Sequence, residues 1–172
     1  DPEGRRVYPT LHLRPEDERF GQQVFERLGL ERQPIVVSMS LGVGGNPAKR
    51  IWDHTEDERV TSSFERELML RLLAQGAAVL LDKGYGDEEL AQANKVVRAV
   101  REAGYQVEEV TEGDLDRMQD QTGARRQPRV VTFEGGLGKL AVLVRRSDLY
   151  IGYDSQGQHL AGAVGRDLIT VF

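Results

Sequence analysis

The chain has no cysteine among its 172 residues, which removes disulfides, thiolate metal sites and cysteine nucleophiles together. It is also poor in lysine: Lys49, Lys83, Lys95 and Lys139 stand among 23 basic residues, the rest being arginine. That bias reads as genome composition rather than chemistry. The net charge of −5 is mild and no basic stripe interleaves with aromatics, so nucleic acid is not an expected partner. No signal-like segment and no apolar run near the length of a membrane span occurs, and the expected location is the cytoplasm. Internal repeats and low-complexity segments are lacking as well. What remains, 39% hydrophobic and 30% charged residues, is a globular composition long enough for one domain with a substantial core. The chain starts at Asp1 rather than Met and stops at Phe172, directly after the apolar run Leu168–Val171. A natural domain rarely ends flush with a buried strand, so a piece of a longer protein is expected.

Along the chain, helical and strand-like patterns alternate. Residues 1–14 read as a linker or edge segment. Glu16 to Leu28 carries Phe20, Val24 and Leu28 at helical spacing, with Pro15 at a first-turn position. Ile35 to Ser40 is a continuous apolar strand, and Thr61 to Gln75 a helix stopped by Gly76. Ala77 to Leu81 is a second buried strand, Asp87 to Ala103 a helix ended by Gly104, and Tyr105 to Val110 a strand near an edge. Thr111 to Gln127 is polar, a loop with some helix around Asp114 to Gln121. Then follow a strand from Arg129 to Phe133, a helix from Leu137 to Arg146, a strand from Leu149 to Gly152, a helix from Ser155 to Val164 and a last strand from Leu168 to Val171. This order predicts an α/β fold, a doubly wound, Rossmann-like parallel sheet flanked by helices. Ile35–Ser40 and Leu149–Gly152 are expected in its centre, fully buried, because their apolar runs are unbroken by charge.

In such sheets ligands bind outside the carboxyl ends of the strands, where three loops carry unusual residues. Ser40 to Arg50 contains Gly42, Gly44 and Gly45 and then Lys49. It is no Walker loop, since Ala48 precedes the lysine and Arg50 follows it; Pro47 breaks a dinucleotide fingerprint. Its glycines let backbone approach a ligand and Lys49 offers a point charge for phosphate, although a plain surface loop would look the same. Asp82 to Glu88 offers carboxylates suited to sugar hydroxyls, yet Asp87 and Glu88 are also ordinary first-turn residues favoured by the helix dipole. At the third junction the strand from Leu149 runs into Asp154 and Ser155, and His159 follows four residues after Ser155. Unpaired N–H groups at that helix start can hold a phosphate, with Ser155 and His159 one turn apart. A capped helix bearing a surface histidine fits the same pattern. Trp52, Tyr85 and Tyr153, each placed just after a strand, are expected to surround the mouth of a cleft.

Two stretches carry a resemblance. One is the glycine-containing loop with Lys49-Arg50 and then Trp52. The other, more specific, is Arg146-Ser147-Asp148-Leu149-Tyr150-Ile151-Gly152-Tyr153-Asp154-Ser155-Gln156-Gly157-Gln158-His159-Leu160-Ala161. They resemble the C-terminal half of the heptosyltransferase-like glycosyltransferases, glycosyltransferase family 9, in which an aromatic-rich strand reaches Asp-Ser/Thr-Gly-x-x-His-Leu. The resemblance spans roughly Leu13 to Phe172 and is weakest from Thr111 to Gln127. It implies a GT-B architecture, two Rossmann-like domains facing each other, of which this one binds the nucleotide-sugar donor.

On that resemblance, Lys49, Ser40 and the backbone at Ser155, Gln156 and Gly157 would meet the donor diphosphate. His159 and Asp154 would act at the phosphates or the sugar, and Glu88 or Asp87 would contact the ribose or sugar. The substrate would be a nucleoside-diphosphate sugar, ADP-linked ones included, with no cofactor and no metal. The acceptor, a glycan or lipopolysaccharide-type molecule, would sit on a missing N-terminal domain, with peripheral membrane contact through it in the full-length protein. Without that domain this chain would bind a donor and transfer nothing. Gln156 stands where the family has glycine, with Gly157 one place later. That departure keeps two other readings open: a non-catalytic nucleotide-binding or interaction module of the same fold, and a sugar-nucleotide epimerase-like domain.

Overall fold

A computed structural model describes residues 10–42, 63–113 and 127–171. The loop containing Lys49 and Trp52 and the polar segment around Asp114–Gln121 lie outside these residues. The described residues form strands β1 (Val36–Ser40), β2 (Ala78–Asp82), β3 (Gln106–Thr111), β4 (Arg129–Glu134), β5 (Leu149–Tyr153) and β6 (Leu168–Val171). Helix α1 (Pro15–Arg27) precedes them, and helices α2 (Ser63–Ala74), α3 (Asp87–Glu102), α4 (Leu137–Arg146) and α5 (Gln156–Ala163) lie between them. The strands make one sheet of order β3-β4-β2-β1-β5-β6, and every pairing is parallel. This is the doubly wound, Rossmann-like arrangement that the alternation of elements predicts.

Both faces of the sheet are covered, so the inner strands have no polar face to alternate with. All five residues of β1 are buried. Val36, Leu80, Val131, Phe133 and Tyr150 point to one side, where α1, α4 and α5 supply Phe20, Val24, Leu143, Val144 and Ala161. Val37, Met39, Val79, Leu81 and Ile151 point to the other, against Met69 and Leu73 of α2 and Val96, Val97 and Val100 of α3. Asp148 pins the start of β5 to β1: its carboxylate accepts the Val36 N–H at 2.7 Å, and its own N–H donates to the Val36 carbonyl at 2.8 Å.

β1 and β5 are interior strands, as their apolar runs predict, but β1 begins at Val36; Ile35 precedes it and is 36% exposed. The end of the sheet departs further from expectation. The run Leu168–Val171 reads as a buried strand, yet β6 is the edge, with Leu168 38% and Ile169 51% exposed. Apolar composition reports the preference for burial, while exposure depends on what else packs there. At the opposite edge β3 carries Glu108 and Glu109, the charge expected of a free edge. Before α1, the Leu11 N–H donates to the Ala163 carbonyl at 3.2 Å and lays the segment against the end of α5.

The order of strands fixes where a ligand can enter. From β1 the chain steps to β2, out to the edge as β3 and back between those two as β4, then crosses to the other side of β1 as β5. The carboxyl end of β1 is therefore the switch point, where the loops on either side diverge and leave a crevice.

Candidate functional site

That crevice holds a pocket of about 100 Å³. Ser40 and Gly42 line it from the end of β1; Asp82, Gly84, Tyr85 and Glu89 come from the end of β2 and the start of α3. Ser155, Gln156, Gly157 and Leu160 contribute the start of α5, and Leu137 and Leu140 the first turn of α4. Parallel register builds the floor. Ser40 stands opposite Asp82 on one side and Gly152 on the other, so the Ser40 and Asp82 side chains share one face of the sheet.

The β2–α3 loop is organised by its own carboxylates. Asp82 accepts the Gly84 N–H at 3.1 Å. Glu89, in the first turn of α3, folds back and accepts the N–H groups of Tyr85 at 3.0 Å and Gly86 at 3.3 Å. Its carboxylate fits between the two loops because Gly42 and Gly84 present no Cβ there; a methyl group on either would overlap it. Gly84 also has φ +74°, a conformation that other residues adopt at a cost. Tyr85, 60% exposed, closes the rim by donating its hydroxyl to the Gly135 carbonyl.

Helix ends around the pocket differ in how they are satisfied. The N–H of Gly136, before α4, is taken by Glu112, which Lys139 also meets at 2.9 Å. At α3 the acceptor is Glu89. At α5, Ser155 occupies the N-cap in extended conformation without a side-chain capping bond. The first-turn amides of α5 thus border the pocket without a capping side chain, a positive partial charge open to an acceptor. Beneath them Gly157 is a packing necessity. A Cβ there would stand 2.8 Å from the Tyr150 Cζ and 3.3 Å from the Ser40 Cβ, and nearer still to the Tyr150 hydroxyl.

Burial perturbs the floor. Desolvation raises the Asp82 carboxyl above the ordinary range, with Glu89 adding to it and the Gly84 amide and Ser40 pulling the other way. Burial likewise pushes the Tyr150 phenol upward. Among the described residues that line the pocket there is no cation, and Asp82 and Glu89 make it acidic. Nowhere among the described residues do three His, Asp or Glu side chains gather so as to hold a metal ion.

Of the residues singled out by sequence, Ser40, Ser155, Gln156 and Gly157 come together here. Asp87 and Glu88 do not reach the walls; they are exposed on the first turn of α3, and Glu89, one place on, turns inward instead. His159 is exposed on α5 and does not line the pocket beside Ser155. Asp154 is directed along α5, accepting from the Gln158 amide, whose oxygen accepts from the Thr170 hydroxyl at 2.7 Å. Lys49 lies outside the described residues. Tyr153 corrects the expected ring of rim aromatics: it is 3% exposed and donates to Glu65 of α2 at 2.7 Å. Alternation explains it, because Tyr153 shares the α2 face with Ile151. Asp82, the first of the carboxylates offered by the second loop, does line the pocket, whereas Glu89 and Tyr150 carry no sequence expectation as site residues. Gly86-x-x-Glu89 at a helix start was a legible signal for Glu89.

No family model matches the sequence, and no curated protein matches it either. Two solved structures share the fold. One is the ADP-heptose lipopolysaccharide heptosyltransferase II of E. coli, with TM-score 0.58 and 17% identity over 98% of this chain and 41% of that one. The other is a glycosyl transferase family 9 protein from Veillonella parvula DSM 2008, with TM-score 0.61 and 19% identity over 96% of this chain and 37% of that one. The chain therefore has the fold of part of a glycosyltransferase and spans about two fifths of the length of these two proteins.

Proposed function

We propose that this chain is the nucleotide-sugar-binding domain of a two-domain, GT-B glycosyltransferase resembling heptosyltransferases. The intact protein would move a sugar from a nucleoside diphosphate, ADP among the candidates, to a glycan or lipopolysaccharide-type acceptor held by the other domain. The observation that carries this reading is the convergence of Ser40 and the side-chain-uncapped first turn of α5 on one pocket at the switch point of the sheet. As the glycosidic bond breaks, negative charge grows on the departing diphosphate, and a preorganised helix N-terminus stabilises it without reorganising. Lys49 would add the cation that the described lining lacks. His159 and Asp154, off the pocket walls, would serve the sugar side, towards a facing domain. At about 100 Å³ the pocket is a fraction of the roughly 300–1,000 Å³ of a complete ligand site, as one wall of a cleft should be.

One observation favours a second reading. Asp82 and Glu89 oppose a second negative charge, as expected of a module that has kept the fold and lost the donor. Calorimetry of this chain with ADP, UDP and GDP and with their nucleosides separates the two. A donor domain binds at least one diphosphate more tightly than its nucleoside, and Lys49→Ala narrows that difference by about 1–3 kcal/mol. Equal affinity for both forms, unaffected by Lys49→Ala, supports the non-catalytic module.

A further inference from the structure

Tyr150 holds the most informative unsatisfied group near the pocket. The residue is 2% exposed, and its hydroxyl is buried without a hydrogen-bond partner. A phenylalanine would fill the same space without stranding a polar atom, so the hydroxyl lowers stability unless something meets it. Ser40 and Ser155 lie beside it and favour its ionised form, yet neither completes a hydrogen bond with it. Next to it, on the same face of the sheet, is a second cavity of about 10 Å³. Most of its wall is apolar, but Ser38, Ser40, Asp82 and Tyr150 all border it. That volume is at the lower limit for one water, and the polar side chains at its border that are not spent within the strands are Ser40, Asp82 and Tyr150. Ser40, Asp82 and Leu140 separate this cavity from the pocket above, belonging to both.

We propose that the Tyr150 hydroxyl holds one buried water against Ser40 and Asp82, and that Tyr150 is thereby a positioning residue for the first turn of α5. Tyr150 is not a lining residue of the pocket and acts through its neighbours. The hydroxyl lies directly beneath Gly157, with Ser155 at its side, so whatever fixes it fixes the N-terminal amides of α5 over the pocket. The same water would steady Asp82, whose bond from the Gly84 N–H shapes the loop on the opposite wall. One buried contact would then hold both walls of the site. This inference rests on the donor-site reading, since the amides it positions are those expected to meet a diphosphate.

Two measurements test it. A high-resolution crystal structure of this chain should show a water in the small cavity, bonded to the Tyr150 hydroxyl. A dry cavity, or a direct bond from Tyr150 to Ser40, overturns the water. Calorimetry with the nucleoside diphosphate that binds best, and with its nucleoside, compares wild type with Tyr150→Phe. The diphosphate should bind about tenfold more weakly to the variant, the nucleoside as before, and the ligand-free melting temperature should fall by no more than about 2–4 °C, the loss of one hydrogen bond. Equal diphosphate affinity in the two proteins overturns the positioning role. So do parallel losses for both ligands with a melting temperature lowered beyond that, which would mean general loosening. Wild type that binds neither ligand removes the donor reading and with it the positioning role, while the crystal structure still decides the water.

Discussion

Replacing Gly157 by alanine tests whether the floor of the pocket is built as described. The added methyl would lie 2.8 Å from Tyr150 Cζ and 3.3 Å from Ser40 Cβ. Carbon atoms prefer about 3.5–4.0 Å, so the closest of these contacts is too short by ~0.7 Å or more, and the phenol oxygen is nearer still. Relief is hard to find. Tyr150 is 2% exposed within the core, Ser40 is fixed in an interior strand, and Gly157 itself is buried in the first turn of α5. Overpacking of this kind costs about 1–3 kcal/mol. Alanine is the better helix former by about 0.8–1 kcal/mol, which offsets part of that in a helix interior and less at a helix start. The clash should win, with a net loss of about 1–2 kcal/mol and a melting temperature lower by roughly 2–8 °C for a chain of this size. Thermal denaturation followed by circular dichroism measures it. Tyr150→Phe should recover part of the loss in the double variant, because it removes the closest atom. An alanine variant as stable as wild type would refute the packing argument and return Gly157 to the role of an ordinary helix residue.

Asp82→Asn should stabilise the chain at neutral pH and lose that advantage in acid. Because the folded carboxyl is raised above its unfolded value, its contribution is fully present below the unfolded range and is lost as pH rises through the folded one. Urea midpoints from acid to neutral pH should therefore separate variant and wild type as pH rises; a constant gap contradicts it. Tyr153→Phe leaves Glu65, 1% exposed, without that donor, and its second oxygen is already unpaired. The expected loss is about 1–3 kcal/mol in urea denaturation, and an unchanged midpoint would show that Glu65 does not depend on the phenol.

The parts of the fold that were legible are those set by local periodicity and punctuation. Leu137–Arg146 and Leu168–Val171 begin and end where the pattern places them, and Asp87, after a glycine, does open α3. A buried parallel strand announces itself as an unbroken apolar run, so β1 and β5 were readable as interior. Facing was harder. Tyr150 and Tyr153 look alike in the sequence, but three positions apart in a strand they point to opposite faces, one under the pocket and one towards Glu65. Glu89 was obscured for a similar reason. A carboxylate near a helix start looks solvated until the loop closes around it, and it is Gly42, in a different loop, that gives Glu89 its place. The exposure of β6 is not a property of its residues, since an apolar strand becomes an edge only by what fails to pair with it.

Amide chemical-shift mapping by NMR, titrating a nucleoside diphosphate into the labelled chain, tests whether the first turn of α5 and the end of β1 receive the diphosphate. Shifts should concentrate at Ser155–Leu160 and at Ser40–Gly42, with smaller ones at Gly84–Gly86, and much weaker changes with the nucleoside alone. Shifts that avoid the first turn of α5, or none at diphosphate concentrations that saturate intact glycosyltransferases, would contradict the donor-site reading.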